Sequence, residues 1–348
     1  MNTGVYYALL ASLFFGASTP VAKLLLATQS PLLVAGLLYL GSGVGLAMAR
    51  VLRDGGWKKI TLTLSEWPWL LSAVFFGGIL APVFLLYGLM HVNAATASLL
   101  LNLEAVLTAV IAWCVFKENT DKRIVLGMLL IVIGCVLLAW PQRALNFVDW
   151  LGPLAVVIAC LCWAVDNNLT RKVSATDALF VAGSKGIIAG VVNTGLAMAL
   201  GVEMPNALVT SAIMLLGLFG YGISLVFFVL SLRSLGAART GAYFSTAPFI
   251  GAAVALFLLH EAVSPLFTLA SVFMAVGVWL HLTERHAHQH THAELEHIHL
   301  HSHDAHHQHE HDEHWNGREP HSHFHKHTAL SHTHVHFPDI HHQHVHSK

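Results

Sequence analysis

The sequence predicts an all-α polytopic membrane protein, with ten transmembrane helices built as two inverted five-helix repeats and a disordered His-rich tail. Three observations predict it. The chain is 55% hydrophobic and only 11% charged, whereas a soluble domain carries about 25% charged residues. Its apolar residues fall in windows of about 17–25, the length that crosses a bilayer. Finally, two distant stretches read alike. NAATASLLLNLEAVLTAVIAWCVFKE (93–118) and GAARTGAYFSTAPFIGAAVALFLLHE (236–261) align so that Ala94-Ala95 meets Ala237-Ala238 and Glu118 meets Glu261.

The first span, 5–26, lacks the basic start of a cleaved leader and runs through Pro20 past Lys23, so it reads as a membrane helix. The second, 31–50, carries Gly41-x-x-x-Gly45, a pattern of close helix contact. The third, 67–90, opens on the interfacial aromatics Trp67 and Trp69. The fourth, 93–116, holds Glu104 at mid-span, and the fifth, 124–140, holds Gly127 and Gly134. The sixth, 151–171, holds Asp166 and Cys160-Leu161-Cys162, two thiols on opposing sides of a helix. The seventh, 178–200, carries Lys185 and Gly186-x-x-x-Gly190. Spans 209–232, 237–259 and 265–282 complete the set. All four cysteines (Cys114, Cys135, Cys160, Cys162) lie in apolar runs and read as small buried side chains.

Lysine and arginine mark the loops that face the cytoplasm. Arg50, Arg53, Lys58 and Lys59 follow the second span, Lys117, Lys122 and Arg123 the fourth, Arg171 and Lys172 the sixth, and Arg233 and Arg239 the eighth. The other side shows Arg143, with Lys23 near its edge. Both termini are expected in the cytoplasm and the body in a bacterial inner membrane. FFGASTPVAK in the first span also matches CWAVDNNLTR in the sixth. A repeat of five spans is odd in number, so its second copy enters from the opposite face. Inverted repeats are a transporter signature, because two halves can rock around one central site.

Ten spans, two five-span repeats, a fourth helix ending in Glu in each, and the glycines of the fifth resemble the EamA family of the drug/metabolite transporter superfamily. The resemblance covers residues 4–282. It divides the chain into a first repeat (1–145), a second (146–285) and a tail (286–348). It implies a substrate cavity between the repeats and export of small metabolites. These repeats often carry Pro ahead of the helix-ending Glu. The second copy has Pro248, whereas the first has Ala105 preceded by Glu104, so the first is expected to lack the kink and to gain an acid.

Ionisable groups at membrane depth are functional candidates. Glu104, Asp166 and Lys185 are the three here: two acids and one base can form a pair and leave one acid to carry a proton. Thr108 and Asn93 share the helical face of Glu104. Asn102, Asn167 and Asn168 serve either as substrate contacts or as interhelical glue. Tyr87, Trp163, Tyr221 and Tyr243 can stack on a substrate or simply pack; Tyr243 is retained as a candidate. Glu118 and Glu261 read as structural or gating groups. No catalytic constellation and no basic stripe for nucleic acid is visible, and no cofactor is required.

Of the 27 histidines, all but His91 and His260 lie from His281 onward. Clustered His is a compositional sign of metal binding. His-x-His places imidazoles on one side of an extended chain, so His288, His290, His292, His299, His301, His303, His323 and His325 are expected ligands for Zn, Ni, Co or Cu. Few aliphatic residues predict disorder without metal. Lipid, a small solute and divalent metal are thus the expected partners, and a homodimer is compatible. Three readings follow: a solute exporter, a divalent metal exporter fed by the tail, and a metal-binding or metal-sensing membrane protein without transport. The charge bias makes a testable statement. A cytoplasm-active reporter fused after Lys348 should work and a periplasm-active one should be silent; the reverse would invert the orientation.

Overall fold

The computed structural model describes residues 3–56, 62–116, 122–140, 148–173, 176–235, 237–283, 287–292, 295–301, 321–327 and 330–335. They divide into two units, Met1–Glu284 and Arg285–Lys348.

The first unit is helical: α1 (Thr3–Leu25), α2 (Pro31–Asp54), α3 (Trp67–Ala73), α4 (Ala81–His91), α5 (Ala94–Leu100), α6 (Asn102–Phe116), α7 (Lys122–Ala139), α8 (Val148–Thr170), α9 (Ala178–Ala199), α10 (Ala207–Gly217), α11 (Ser224–Leu235), α12 (Ala237–Phe244), α13 (Ala247–Leu259) and α14 (Pro265–Leu282). A π-helical turn, Val74–Leu80, joins α3 to α4, and another, Leu218–Ile223, joins α10 to α11. Among the described residues, 8 helical stretches are long and apolar enough to cross a membrane. The last two expected spans appear as shorter apolar helices.

The ninth is short because it is broken. α12 ends at Phe244 and α13 begins at Ala247, with Pro248 in its first turn. Proline lacks an N–H and clashes with the carbonyl four residues back, so the helix stops ahead of it. The first copy was expected to run straight, having no proline, but it is interrupted too, at Leu101. There the Asn102 side chain donates to Leu99 O at 2.9 Å. A side-chain amide competing for a backbone carbonyl does locally what proline does in the other copy.

Helix pairing is symmetric under exchange of the repeats. α2 packs along α9, and α7 along α14. α1 lies against α11 and α13, while α8, its counterpart, lies against α4 and α6. The core beneath these contacts includes Leu33, Leu37, Leu38, Leu85, Leu86, Leu99, Leu100 and Ile131, all fully buried. Large apolar side chains such as Phe257 and Leu208 are instead exposed, as expected of a bundle whose outer surface meets hydrocarbon. Cys135, Cys160 and Cys162 are buried, but Cys114 is exposed, contrary to the sequence reading: its helix turns that face outward.

The α2–α9 contact is set by glycine. A Cβ on Gly186 would lie 2.5 Å from Gly43 Cα, closer than non-bonded carbons come. Dispersion and close backbone approach replace the hydrophobic effect inside a bilayer. Overpacking such a seam costs about 1–3 kcal/mol. Gly43→Val should therefore lower the melting temperature in detergent by several degrees, read by thermal unfolding; an unchanged value would show the seam is looser.

The second unit, among its described residues, has four strands: β1 (Ala287–His292), β2 (Leu295–His301), β3 (His321–His327) and β4 (Leu330–Val335). β1 pairs antiparallel with β4, and β2 with β3. The alternation of His with Ile, Leu, Thr or Phe has the strand period of two.

Candidate functional site

One turn of α8 places Asp166, Asn167 and Asn168. Successive helical residues are about 100° apart, so these three side chains address different neighbours. Asp166 turns to α9, where Lys185 Nζ donates to both its carboxylate oxygens at 2.6 Å. The pair is nearly enclosed, its side chains 16% and 7% exposed. Thr170 Oγ1 adds a donor to Asp166 Oδ1 at 2.8 Å. Asn167 turns to α6, where its amide donates to Glu104 Oε1 at 2.9 Å and approaches Thr108 Oγ1 at 3.4 Å. Asn168 donates to Ala164 O at 2.8 Å and Thr108 O at 3.3 Å, which ties α8 to α6.

The structure thus gathers Glu104, Asp166, Lys185, Asn167 and Asn168. Lys185 is spent on Asp166, so Glu104 holds a neutral amide rather than a cation. Asn102 sits away from this group, on Leu99 O and against Met274 Sδ at 4.0 Å. Tyr243 offers its backbone carbonyl to Ser12 and Thr246. Among the described residues no hydrogen bond joins its ring to either acid.

The pair depends on a residue that the sequence reading passed over. Gly77 lies in the π-helical turn of the third span, and any Cβ there would collide with the Asp166 carboxylate. The turn also leaves the Gly77 carbonyl available to side chains. Tyr39 Oη donates to it at 2.7 Å and Trp163 Nε1 at 3.0 Å. Asn193 on α9 donates to Ile79 O at 3.2 Å, with its Oδ1 left unpaired. Single-turn π-bulges recur at functional sites because they free backbone groups in this way. Tyr39 stands 5.5 Å from Tyr221, and Phe15 meets Tyr221 at 5.8 Å and Trp163 at 6.4 Å. The result is an aromatic wall beside the acids. A signal existed: Phe76-Gly77 in the third span recurs as Phe219-Gly220 in the eighth, and the second π-helical turn falls there.

A separate contact ties the two repeats together. Glu261 accepts from the backbone N–H groups of Ala94 and Ala95 at 2.7 and 2.8 Å, so it caps α5 from the other repeat. A carboxylate at a helix N-terminus satisfies orphan donors and meets the positive end of the dipole. Lys23 on α1 reaches Glu261 at 3.8 Å and donates to Val92 O. His260 beside it ends α13 in the left-handed region, φ 51°. Glu118 lies outside the described residues, as does His303.

A helical bundle with 8 membrane-length stretches among its described residues, in two similar halves with a charged cluster between them, fits a membrane transporter class. The EamA-like transporter family matches residues 2–140 and again residues 150–283, and the chain belongs to that family as a multi-pass membrane protein. An uncharacterized transporter of Methanothermobacter thermautotrophicus is 26% identical over 286 residues, 78% of this chain and 83% of its own length. A probable 4-amino-4-deoxy-L-arabinose-phosphoundecaprenol flippase subunit, ArnE, of Pseudomonas aeruginosa is 38% identical over 117 residues, 34% of this chain and 95% of its own. A crystal structure 18% identical to the chain superposes with a TM-score of 0.62 over 80% of this chain and 95% of that one, a likeness of fold.

The enclosed ion pair makes a prediction. Removing one member strands a charge, at a cost of about 3–5 kcal/mol, while removing both is far milder. Lys185→Met should sharply lower thermal stability in detergent, and Asp166→Asn/Lys185→Met should recover most of it. Additive losses in the double variant would mean the two groups do not act as a pair.

Proposed function

We propose that the chain exports a small organic solute by alternating access, driven by a proton carried on Glu104. The observation behind this reading is that Glu104 is the acid left over. Asp166 is neutralised by Lys185, whereas the Glu104 carboxylate is met by the Asn167 amide. An uncompensated acid at membrane depth is costly when ionised. It accepts a proton readily and releases one when water or a cationic group arrives. The Asn167 amide can be traded for a substrate group, because that residue is exposed within the fold.

Ten spans in two inverted halves supply the motion. The match of ArnE over roughly one repeat's length supports a unit that is complete at that size. On this reading the Glu261 cap, with Lys23, is a gate at one end: opening it costs α5 its N-terminal acceptor. The alignment of Glu118 with Glu261 and of Ala237-Ala238 with Ala94-Ala95 supports a like arrangement at the other end. Both termini lie in the cytoplasm of a bacterial cell, as the basic loops indicate. Among the described side chains no three His, Cys, Asp or Glu come together around a common point, so no observation favours metal as the cargo.

Comparing spent-medium metabolite profiles tests this. Cells expressing the protein should enrich the medium in at least one small solute relative to an empty vector. Glu104→Gln, inserted at equal level, should return the profile to the vector baseline, and a protonophore should do the same to the wild type. Undiminished release by Glu104→Gln would return Glu104 to a structural role.

A further inference from the structure

We infer that the β2–β3 ladder is a transition-metal site, because its register sets three consecutive histidine pairs opposite one another: His297 with His325, His299 with His323 and His301 with His321. Residues two apart in a strand share a face, so these six positions form one block. The positions between them carry Glu296 opposite Lys326, Ile298 opposite Phe324 and Leu300 opposite Ser322. One opposite-charge pair and one apolar pair are thus matched on the second face, which favours this register. A slip of one residue would exchange the faces of one strand and break both matches and all three histidine pairs.

The spacing suits a metal. Residues directly opposite in an antiparallel pair have Cβ atoms about 4.5–5.5 Å apart, and same-face neighbours along a strand are about 6.6 Å apart. Imidazole nitrogens bind zinc at about 2.0–2.1 Å. Two histidines directly opposite are therefore spaced to share one ion, and the next pair is spaced to complete a four-coordinate shell. Imidazole donors suit Zn, Cu and Ni. The β1–β4 ladder offers two such pairs, His288 with His334 and His290 with His332, before His292 falls opposite Leu330. The register therefore separates histidines that composition treats alike. It adds His297, His321, His332 and His334 to the expected ligands and leaves His292 without a cross-strand histidine.

The site also accounts for the ladder itself. A lone two-stranded ribbon is marginal in water. A ligand that binds only the paired form stabilises it in proportion to the logarithm of its concentration over Kd. Metal bound across the pairs would hold β2 to β3 over the intervening chain. The inference is independent of what the membrane unit transports.

The experiment uses the full-length protein in detergent with zinc as the probe. It combines calorimetric titration with hydrogen exchange across residues 295–301. His321→Asn/His323→Asn/His325→Asn removes one partner from every pair. His306→Asn/His307→Asn/His309→Asn removes as many histidines from the segment between the strands. The ladder triple should weaken the tightest zinc binding at least tenfold and abolish zinc-induced protection of 295–301. The control triple should leave both intact. Equal weakening by the two triples, or protection that survives the ladder triple, would overturn the site and reduce the tail to binding by composition alone.

Discussion

The enclosed ion pair between Asp166 and Lys185 is the constraint around which the membrane unit is arranged. A buried pair is tolerated only when its geometry is good and its remaining lone pairs are satisfied. Lys185 reaches both carboxylate oxygens and Thr170 takes a further contact. Accommodating the carboxylate demands a glycine on the facing helix, which Gly77 supplies. Close approach there coincides with the π-helical turn, and that turn leaves a carbonyl which Tyr39 and Trp163 occupy. One electrostatic requirement thus reaches the second, third, sixth and seventh spans.

The same turn of α8 hands its next residue, Asn167, to Glu104. Two acids are thereby given different fates within one site: Asp166 is held by a cation and Glu104 by an amide. Pushing two titratable groups into unlike surroundings is how proteins assign them unlike roles. The break at Leu101 lies just before Glu104, so the acid begins a new helical segment rather than sitting within an unbroken one. The break ahead of Pro248 in the other copy has a different chemical cause. Two routes to the same discontinuity indicate that the discontinuity, rather than the proline, is what the repeat requires.

Glu261 shows how the halves are tied. Its carboxylate satisfies Ala94 and Ala95 in place of Asn93, whose side chain does not cap the helix. A helix start that depends on the other repeat is stable only while the repeats are together at that end. Breaking that contact would leave the N–H groups of Ala94 and Ala95 without their acceptor.

The sequence by itself determined the membrane character, most of the helical spans, the internal repeat and the presence of three ionisable residues in apolar stretches. Each follows from local composition and spacing: an apolar window must be helical in a bilayer because its backbone has no water to bond. The tertiary structure alone decided which acid takes the lysine, since Asp166 and Glu104 look equally eligible in one dimension. It also decided that Asn102 bonds the Leu99 carbonyl, that Gly77 makes room for the Asp166 carboxylate and that Tyr39 takes the Gly77 carbonyl. The π-helical turn, the break at Leu101 and the strand register of the tail were likewise beyond composition. Each depends on which distant segment supplies the partner for a backbone carbonyl, an amide or a carboxylate, and that choice exists only once the chain is folded.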